Sequence, residues 1–431
     1  MPFAAIPDSH AYRLRNCTVA PVFGGAIGSR EGAVDIDIRD GRIAAIGPAA
    51  PPDPDLPSVD CRAGMAWPAF VDLHAHIDKA HISNRAPNPD GSWLAALETV
   101  RADRLARWTA ADVERRMDFS LRSAFAHGTR ALRTHIDSLP PQAAISWPVF
   151  ARMRERWRGR IELQGSALGP VEMLLGEDGA ALADLVADHQ GILGCVLKST
   201  PGPQAALDRV FGLARERGIE LDLHVDETDD PGSTMLRHVA EAALRWSYEG
   251  RVTCGHCCSL AVQAEAEAEA TIRLAARAGL TIASLPMCNL YLQDRSPGRT
   301  PRWRGVTLVR ELAAAGVKVA FGSDNVRDPF YAYGDYDMLE VFREAVRIAH
   351  LDHPLGEWAA SVTRIPAAQM RLAGAAAIEP GASADLVLFR ARDWGELLSR
   401  PQADRIVIRS GRPIDTTPPD YAELDDLARR G

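Results

Sequence analysis

Four places in this chain carry side chains that could share one metal ion and one proton. His74-Ala-His76 closes an apolar run. Residues i and i+2 of a strand point to one side, so two imidazoles there could grip a single ion. His224-Val-Asp-Glu227 closes a second run and sets a carboxyl three residues beyond an imidazole. His256 ends a third run, and Asp324 follows a fourth within Gly322-Ser-Asp-Asn325. Each has a plainer reading on its own: polar residues in a loop, a strand-end His, or an Asp capping a helix. The combination is more specific, because it supplies three or more nitrogen donors and one oxygen donor. That set suits Zn or Fe(II) with a position left open for water. A bound metal lowers the pKa of water to about 7, and a carboxyl close by could carry protons.

These residues converge only if the elements beneath them bring their ends together. Between 66 and 374 short apolar runs alternate with longer helical patterns. Strands are expected at 68–74, 131–135, 161–166, 192–198, 220–225, 251–256, 280–285 and 317–323, with helical stretches such as 110–126, 205–217 and 261–278 between them. Gly218, Gly250, Gly279 and Gly316 precede the next strand, where a glycine fits the left-handed end of a helix. Eight strands alternating with helices predict a parallel (β/α)8 barrel of the TIM type, an α/β fold whose chemistry sits at the C-terminal strand ends. The four places above all lie there. The Ala-Glu repeat at 264–270 reads as an exposed helix face.

The chain ends differ in character. Val34-Asp-Ile-Asp-Ile38 alternates with period two, and Asp40-Gly41 then separates it from Arg42-Ile-Ala-Ala-Ile46, a hairpin signal. Ala384-Asp-Leu-Val-Leu-Phe389 and Arg405-Ile-Val-Ile-Arg409 are short strands, with a turn at Ser410-Gly411. A small β-sandwich domain from 1–65 and 375–431 is therefore expected to flank a barrel at 66–374.

Composition narrows the partners. A net charge of −8 from mixed residues gives no basic stripe for nucleic acid. Apolar runs are strand-length, far short of the ~20 residues of a membrane span, and residues 1–10 lack the pattern of a signal peptide. Seven scattered cysteines read as reduced thiols in the cytoplasm. Cys254, Cys257 and Cys258 flank His256 but lack a second pair for a four-Cys zinc site, so packing is their simpler role.

The order His-x-His, His, His, Asp over strands one, five, six and eight resembles the amidohydrolase superfamily. Within it the chain is similar to bacterial cytosine deaminases. Arg133-Thr-His135-Ile-Asp137, His224-Val-Asp-Glu-Thr-Asp-Asp230, Asn289-Leu-Tyr-Leu-Gln-Asp-Arg295, Arg304-Gly-Val-Thr307 and Phe321-Gly-Ser-Asp324 carry the likeness, with Gly381-Ala-Ser-Ala-Asp-Leu386 in the flanking domain. The resemblance implies hydrolytic deamination of a cytosine-type heterocycle, with release of ammonia. It implies one divalent metal ion per subunit, Fe2+ or Zn2+ with Mn2+ also suited, held by His74, His76, His224 and Asp324. Glu227 would shuttle protons, His256 would orient the attacking water, and Asp324 would also take its proton. Gln164 would hydrogen-bond the substrate. A homo-oligomer acting on a small heterocycle is implied as well.

Some residues depart from that pattern. Asn325 stands where a second Asp is usual, and Phe330 where Trp is expected. Lys79 is an addition that could contact an acidic or carbonyl-rich substrate, or pair with Asp78 or another neighbour. His135 is expected either at the barrel mouth or packed, and His81 in a loop. Lys198 keeps a second reading open, since a carboxylated lysine ending strand four bridges two metals in cyclic amide hydrolases of the dihydropyrimidinase type. An N-alkyl aminotriazine hydrolase is a further alternative, and a barrel that only binds a ligand is the reading outside catalysis.

Overall fold

The structure is a computed structural model that describes residues 4–28, 32–372, 374 and 376–428. The chain divides into two compact units: Met1–Asp72 with Arg122–Ala131 and Asp337–Pro419, and Leu73–Leu121 with Leu132–Tyr336 and Asp420–Gly431. The first unit therefore takes in 337–374 besides both β-rich ends, while the last residues group with the second.

Two four-stranded sheets make up the first unit's β structure. In one, Val34–Arg39 pairs antiparallel with Arg42–Pro48 and with Ala11–Cys17. In the other, Leu386–Leu388 pairs with Ala66–Pro68 and Ile406–Arg409. Both expected two-residue turns form. Asp40-Gly41 and Ser410-Gly411 take positive φ at each position, the twist that matches a β-hairpin. The two tips also touch: a Cβ on Gly41 would lie 2.9 Å from the carbonyl oxygen of Ser410. Trp67 is the centre of this unit's core, ringed by Phe23 at 4.8 Å, Trp394 at 5.5 Å and Phe342 at 5.6 Å.

The eight expected strands are present: β1 Phe70–Ala75, β2 Thr129–Asp137, β3 Glu162–Leu168, β4 Val196–Leu197, β5 Leu221–Val225, β6 Val252–His256, β7 Thr281–Ser284 and β8 Lys318–Phe321. Strands β1 to β3 form one sheet and β4 to β8 another. Parallel bridges Ser166↔Ile192 and Pro170↔Val196 join β3 to β4, and Ala75↔Asp324 joins the end of β1 to the segment after β8. The strands thus run round as a (β/α)8 barrel.

Most expected helices form, including Ala110–Ala126, Pro203–Arg217 and Glu265–Arg277. The helix that carries the Ala-Glu repeat buries Ala268, Thr271, Ile272 and Ala275, one face at helical spacing, and exposes the repeat's glutamates. Gly218, Gly279 and Gly316 adopt positive φ as expected. Gly250 does not; the helix before it ends at Arg245, several residues earlier. Strand β4 is shorter than the expected 192–198. Its first half is wedged between neighbours, since a Cβ on Gly194 would meet the carbonyl oxygens of Ala167 and Asp222 at 2.3 and 2.5 Å. Among the described residues no helix is long and apolar enough to cross a membrane.

Candidate active site

The ends of β1 and β8 are zipped together by main-chain hydrogen bonds. Asp324 N donates to His74 O at 2.8 Å, and His76 N donates to Asp324 O at 3.2 Å. Such close approach needs Gly322, where a Cβ would stand 2.7 Å from His74 O. The result sets the Asp324 carboxylate against both imidazoles: Oδ1 lies 3.1 Å from His76 Nε2 and 3.5 Å from His74 Nε2. From β5, His224 brings its Nε2 to 3.3 Å from His76 Nε2. All four side chains are buried.

Burial holds His76 at a pKa of about 3 and His224 well below the usual imidazole value, so both rings are neutral. For Asp324 burial acts upward, but the imidazoles of His74 and His76 against its oxygens outweigh it and hold it well below the carboxylate range. Neutral imidazoles facing an ionised carboxylate form a donor set for a divalent ion. Candidate ligand atoms of His74, His76 and His224 lie within 4.8 Å of one another, as do those of His74, His256 and Asp324. These residues fit the metal that the sequence reading expected.

Behind His74 runs a supporting chain. His74 Nδ1 lies 3.1 Å from His135 Nε2, which lies 3.8 Å from Asp222 Oδ1. Arg133 Nη1 donates to Asp222 Oδ2 at 2.9 Å, and its Nη2 donates to Gln164 Oε1 at 2.8 Å. Of the two places expected for His135 the packed one is found, fully buried behind a ligand candidate. One expectation is corrected: Gln164 sits near the start of β3 holding Arg133, and neither residue faces the cleft. The segment that reaches the cleft from the end of β3 is Leu168-Gly-Pro170.

Backbone turns aim the remaining groups. Asp226, at φ +51°, accepts from Ser233 Oγ, Met235 N and Leu236 N, anchoring the next helix just before Glu227. His256 and Cys257 both have positive φ, which ends β6 sharply. Asn289 Nδ2 lies 3.0 Å from His256 Nδ1. With the amide donating, the ring hydrogen lies on Nε2, where no hydrogen-bond partner is found among the described residues. Glu227 Oε1 lies 3.5 Å from His256 Nδ1, and Oε2 accepts from Trp93 Nε1 at 2.8 Å. Burial pushes Glu227 above its ordinary pKa, against the Trp93 hydrogen bond.

These groups open on a cleft of about 550 Å3 lined by His76, His224, Glu227, His256, Trp93 and Phe330 among others. Lys79 and Asn325 also line it. The partner of Lys79 is Asp137, at 2.8 Å, which Arg104 shares at 2.9 Å; Asp78 instead accepts from Asp137 N. Asn325 donates to Asp328 Oδ2 at 2.6 Å, so one of its two N–H donors is committed within the protein. Lys198 is exposed, with Nζ 4.7 Å from the Trp93 ring centre, which is no place for a buried bridging ligand. His81 is packed against Phe119, away from the cleft. No metal-ligating cluster found among the described residues contains a cysteine.

Sequence reasoning missed Trp93, Asn289 and Asp137. Asn289 and Asp137 lay inside recognised segments but had no assigned partner. Trp93 ends a loop with no periodicity to read.

Residues 127–415 match the amidohydrolase family. A pterin deaminase of Rhizobium rhizogenes is 53% identical over 99% of this chain and 98% of its own length. The structure of 5-methylcytosine deaminase from Klebsiella pneumoniae with 5-fluorocytosine superimposes with a TM-score of 0.81 at 25% identity, covering 93% of this chain and 97% of that one. N-isopropylammelide isopropylaminohydrolase from Burkholderia multivorans does so at 0.77 and 28% identity, covering 94% and 98%.

Proposed function

The chain belongs to the amidohydrolase family as a hydrolytic deaminase of a nitrogen heterocycle, and from that premise we propose that its substrate ring is a pterin. The carrying observation is the end-to-end identity of 53% with a pterin deaminase. The sequence alone favoured a cytosine-type single ring. Cytosine and pterin share an amino-substituted ring carbon with a ring nitrogen beside it and a carbonyl in the same ring; in pterin that carbon lies between two ring nitrogens and a second ring is fused. A cleft of about 550 Å3 with Trp93 and Phe330 in its walls suits the larger, flat molecule.

His74, His76, His224 and Asp324 would hold one divalent ion per subunit, Fe2+, Zn2+ or Mn2+. When bound, that ion supplies Lewis-acid activation of water at neutral pH. The rest is the work of side chains. Glu227, its pKa raised, donates a proton to the ring nitrogen beside the amino-bearing carbon and makes that carbon electrophilic. His256 holds the incoming oxygen through Nε2–H. Asp324 accepts one proton of the water as the new carbon–oxygen bond forms. Glu227, now ionised, takes the hydrogen of the new hydroxyl and passes it to the amino nitrogen. The carbon–nitrogen bond breaks, ammonia leaves, and the carbon becomes a carbonyl. The proton on Asp324 then restores Glu227. Lys79 and Phe330 would hold the ring, with Asn325 acting through Asp328. The reading is completed by a homo-oligomer in the cytoplasm, with neither nucleic acid nor membrane as partner.

Metal-loaded protein should release ammonia from pterin with kcat/KM at least about tenfold above that for cytosine, the scale expected when pocket contacts differ. Preference for cytosine, 5-methylcytosine or an N-alkyl aminotriazine would overturn the choice of ring.

A further inference from the structure

We infer that Trp93 is a positioning residue, which fixes the carboxyl of Glu227 and decides which of its oxygens carries the proton. The inference rests on the reading of Glu227 as proton carrier. Trp93 opens the helix Trp93–Arg107, and the loop before it is held firmly. Asn88 Nδ2 donates to Ser92 O and to Pro329 O, each at 2.9 Å, and Asn88 Oδ1 accepts from Gly91 N at 2.8 Å. Asp90 Oδ1 accepts from Ser92 N, and Ser92 Oγ caps the helix by accepting from Ala95 N. The loop after β1 is thereby tied to the segment after β8.

The indole is fixed from two further sides. Phe330 meets it at 6.1 Å and 67°, and Lys198 Nζ lies 4.7 Å from its ring centre. Its N–H then has one place to go, Glu227 Oε2 at 2.8 Å. An N–H donor can be accepted by a carboxylate oxygen or by the carbonyl oxygen of a carboxylic acid, but not favourably by an acid's O–H oxygen. Trp93 therefore keeps Oε2 as the accepting oxygen throughout the cycle. Oε1 accepts only a long hydrogen bond from Asn289 Nδ2, at 3.4 Å, and lies 3.5 Å from His256 Nδ1, so it is the less firmly held oxygen and the one that gains and loses the proton. The loop after β1 thus helps to build the catalytic centre as well as a wall of the cleft.

The test is steady-state deamination of pterin by metal-loaded Trp93→Phe, Glu227→Gln and the double variant, with thermal midpoint and bound metal measured on each. Phe keeps an aromatic wall and removes only the donor. The expected result is a kcat lowered about 10- to 100-fold, the range for losing a hydrogen bond to a charged group, with KM within about threefold and midpoint and metal content unchanged. In the double variant the Trp93 substitution should add no loss to that of Glu227→Gln. If Glu227→Gln is inactive while Trp93→Phe keeps wild-type kcat, the positioning role is overturned and the function of Glu227 stands. If Glu227→Gln keeps wild-type kcat, the proton-carrier reading falls and this inference with it. A parallel loss of midpoint and of kcat, equal in both backgrounds, would show a structural role and also overturn the inference.

Discussion

Asn289 approaches His256 Nδ1 to 3.0 Å, and His135 approaches His74 Nδ1 to 3.1 Å. The two contacts make different predictions. Asn289→Leu keeps most of the volume and removes the donor that fixes the His256 tautomer. It should lower kcat about tenfold or more while KM for pterin changes little, as steady-state kinetics would show. His135→Ala removes the neighbour that orients a ligand candidate. It should weaken metal affinity about 10- to 100-fold, read as the chelator concentration that strips the protein of half its metal. An unchanged chelator midpoint would separate His135 from the metal. The ligand candidates were legible in the sequence because each ends an apolar run, and a barrel collects strand ends. Gln164 was misplaced because strand membership does not say which end of the strand a side chain occupies. Trp93 was invisible because its loop is ordered by Asn88 and Ser92 through hydrogen bonds that leave no periodic trace.

Among the elements, the closure of β8 onto β1 is the most demanding contact of the site. Gly322 has no room for a side chain, since a Cβ would stand 2.7 Å from His74 O and 2.9 Å from His74 Cβ. Gly322→Ala should destabilise the protein by about 1–3 kcal/mol and displace His74 and Asp324 together. A lower thermal midpoint accompanied by reduced metal content checks this; a lower midpoint with normal metal content would show that the site tolerates the shift. Strand positions could be read from apolar runs because the barrel buries both faces of each strand. Strand ends were less legible. At β4 the carbonyl oxygens of Ala167 and Asp222, remote in sequence, close on Gly194 and leave no room for a side chain. Likewise Gly250 looks like a helix end by type, yet the helix stops at Arg245.

At the scale of the molecule, acid stability is set in part within the first unit. Arg405 donates from Nη1 and Nη2 to the two oxygens of Asp337, at 2.7 Å each. Burial acts to raise the Asp337 carboxyl, but Arg405 and His127 outweigh it and hold the pKa at about 2, against an ordinary 3.8. A carboxyl lowered on folding contributes stability above its unfolded value and loses it as pH falls through the folded one. The pair should therefore give about 2 kcal/mol at neutral pH, declining between about pH 4 and pH 2. Asp337→Asn should lower stability near pH 7 and flatten the acid limb in that window, as urea unfolding at several pH values would show. Parallel acid limbs for the two proteins would contradict the assignment. The β-rich ends were legible as one kind of structure, whereas Asp337 and Arg405 are too far apart in sequence to suggest a pair.

The most direct test of the account is mass spectrometry of the product formed from pterin in 18O-labelled water by the metal-loaded enzyme, with ammonia counted in parallel. One labelled oxygen in the product and one ammonia per turnover, both abolished in Glu227→Gln, are predicted. Unlabelled product, release of anything other than ammonia, or full turnover by Glu227→Gln would contradict it.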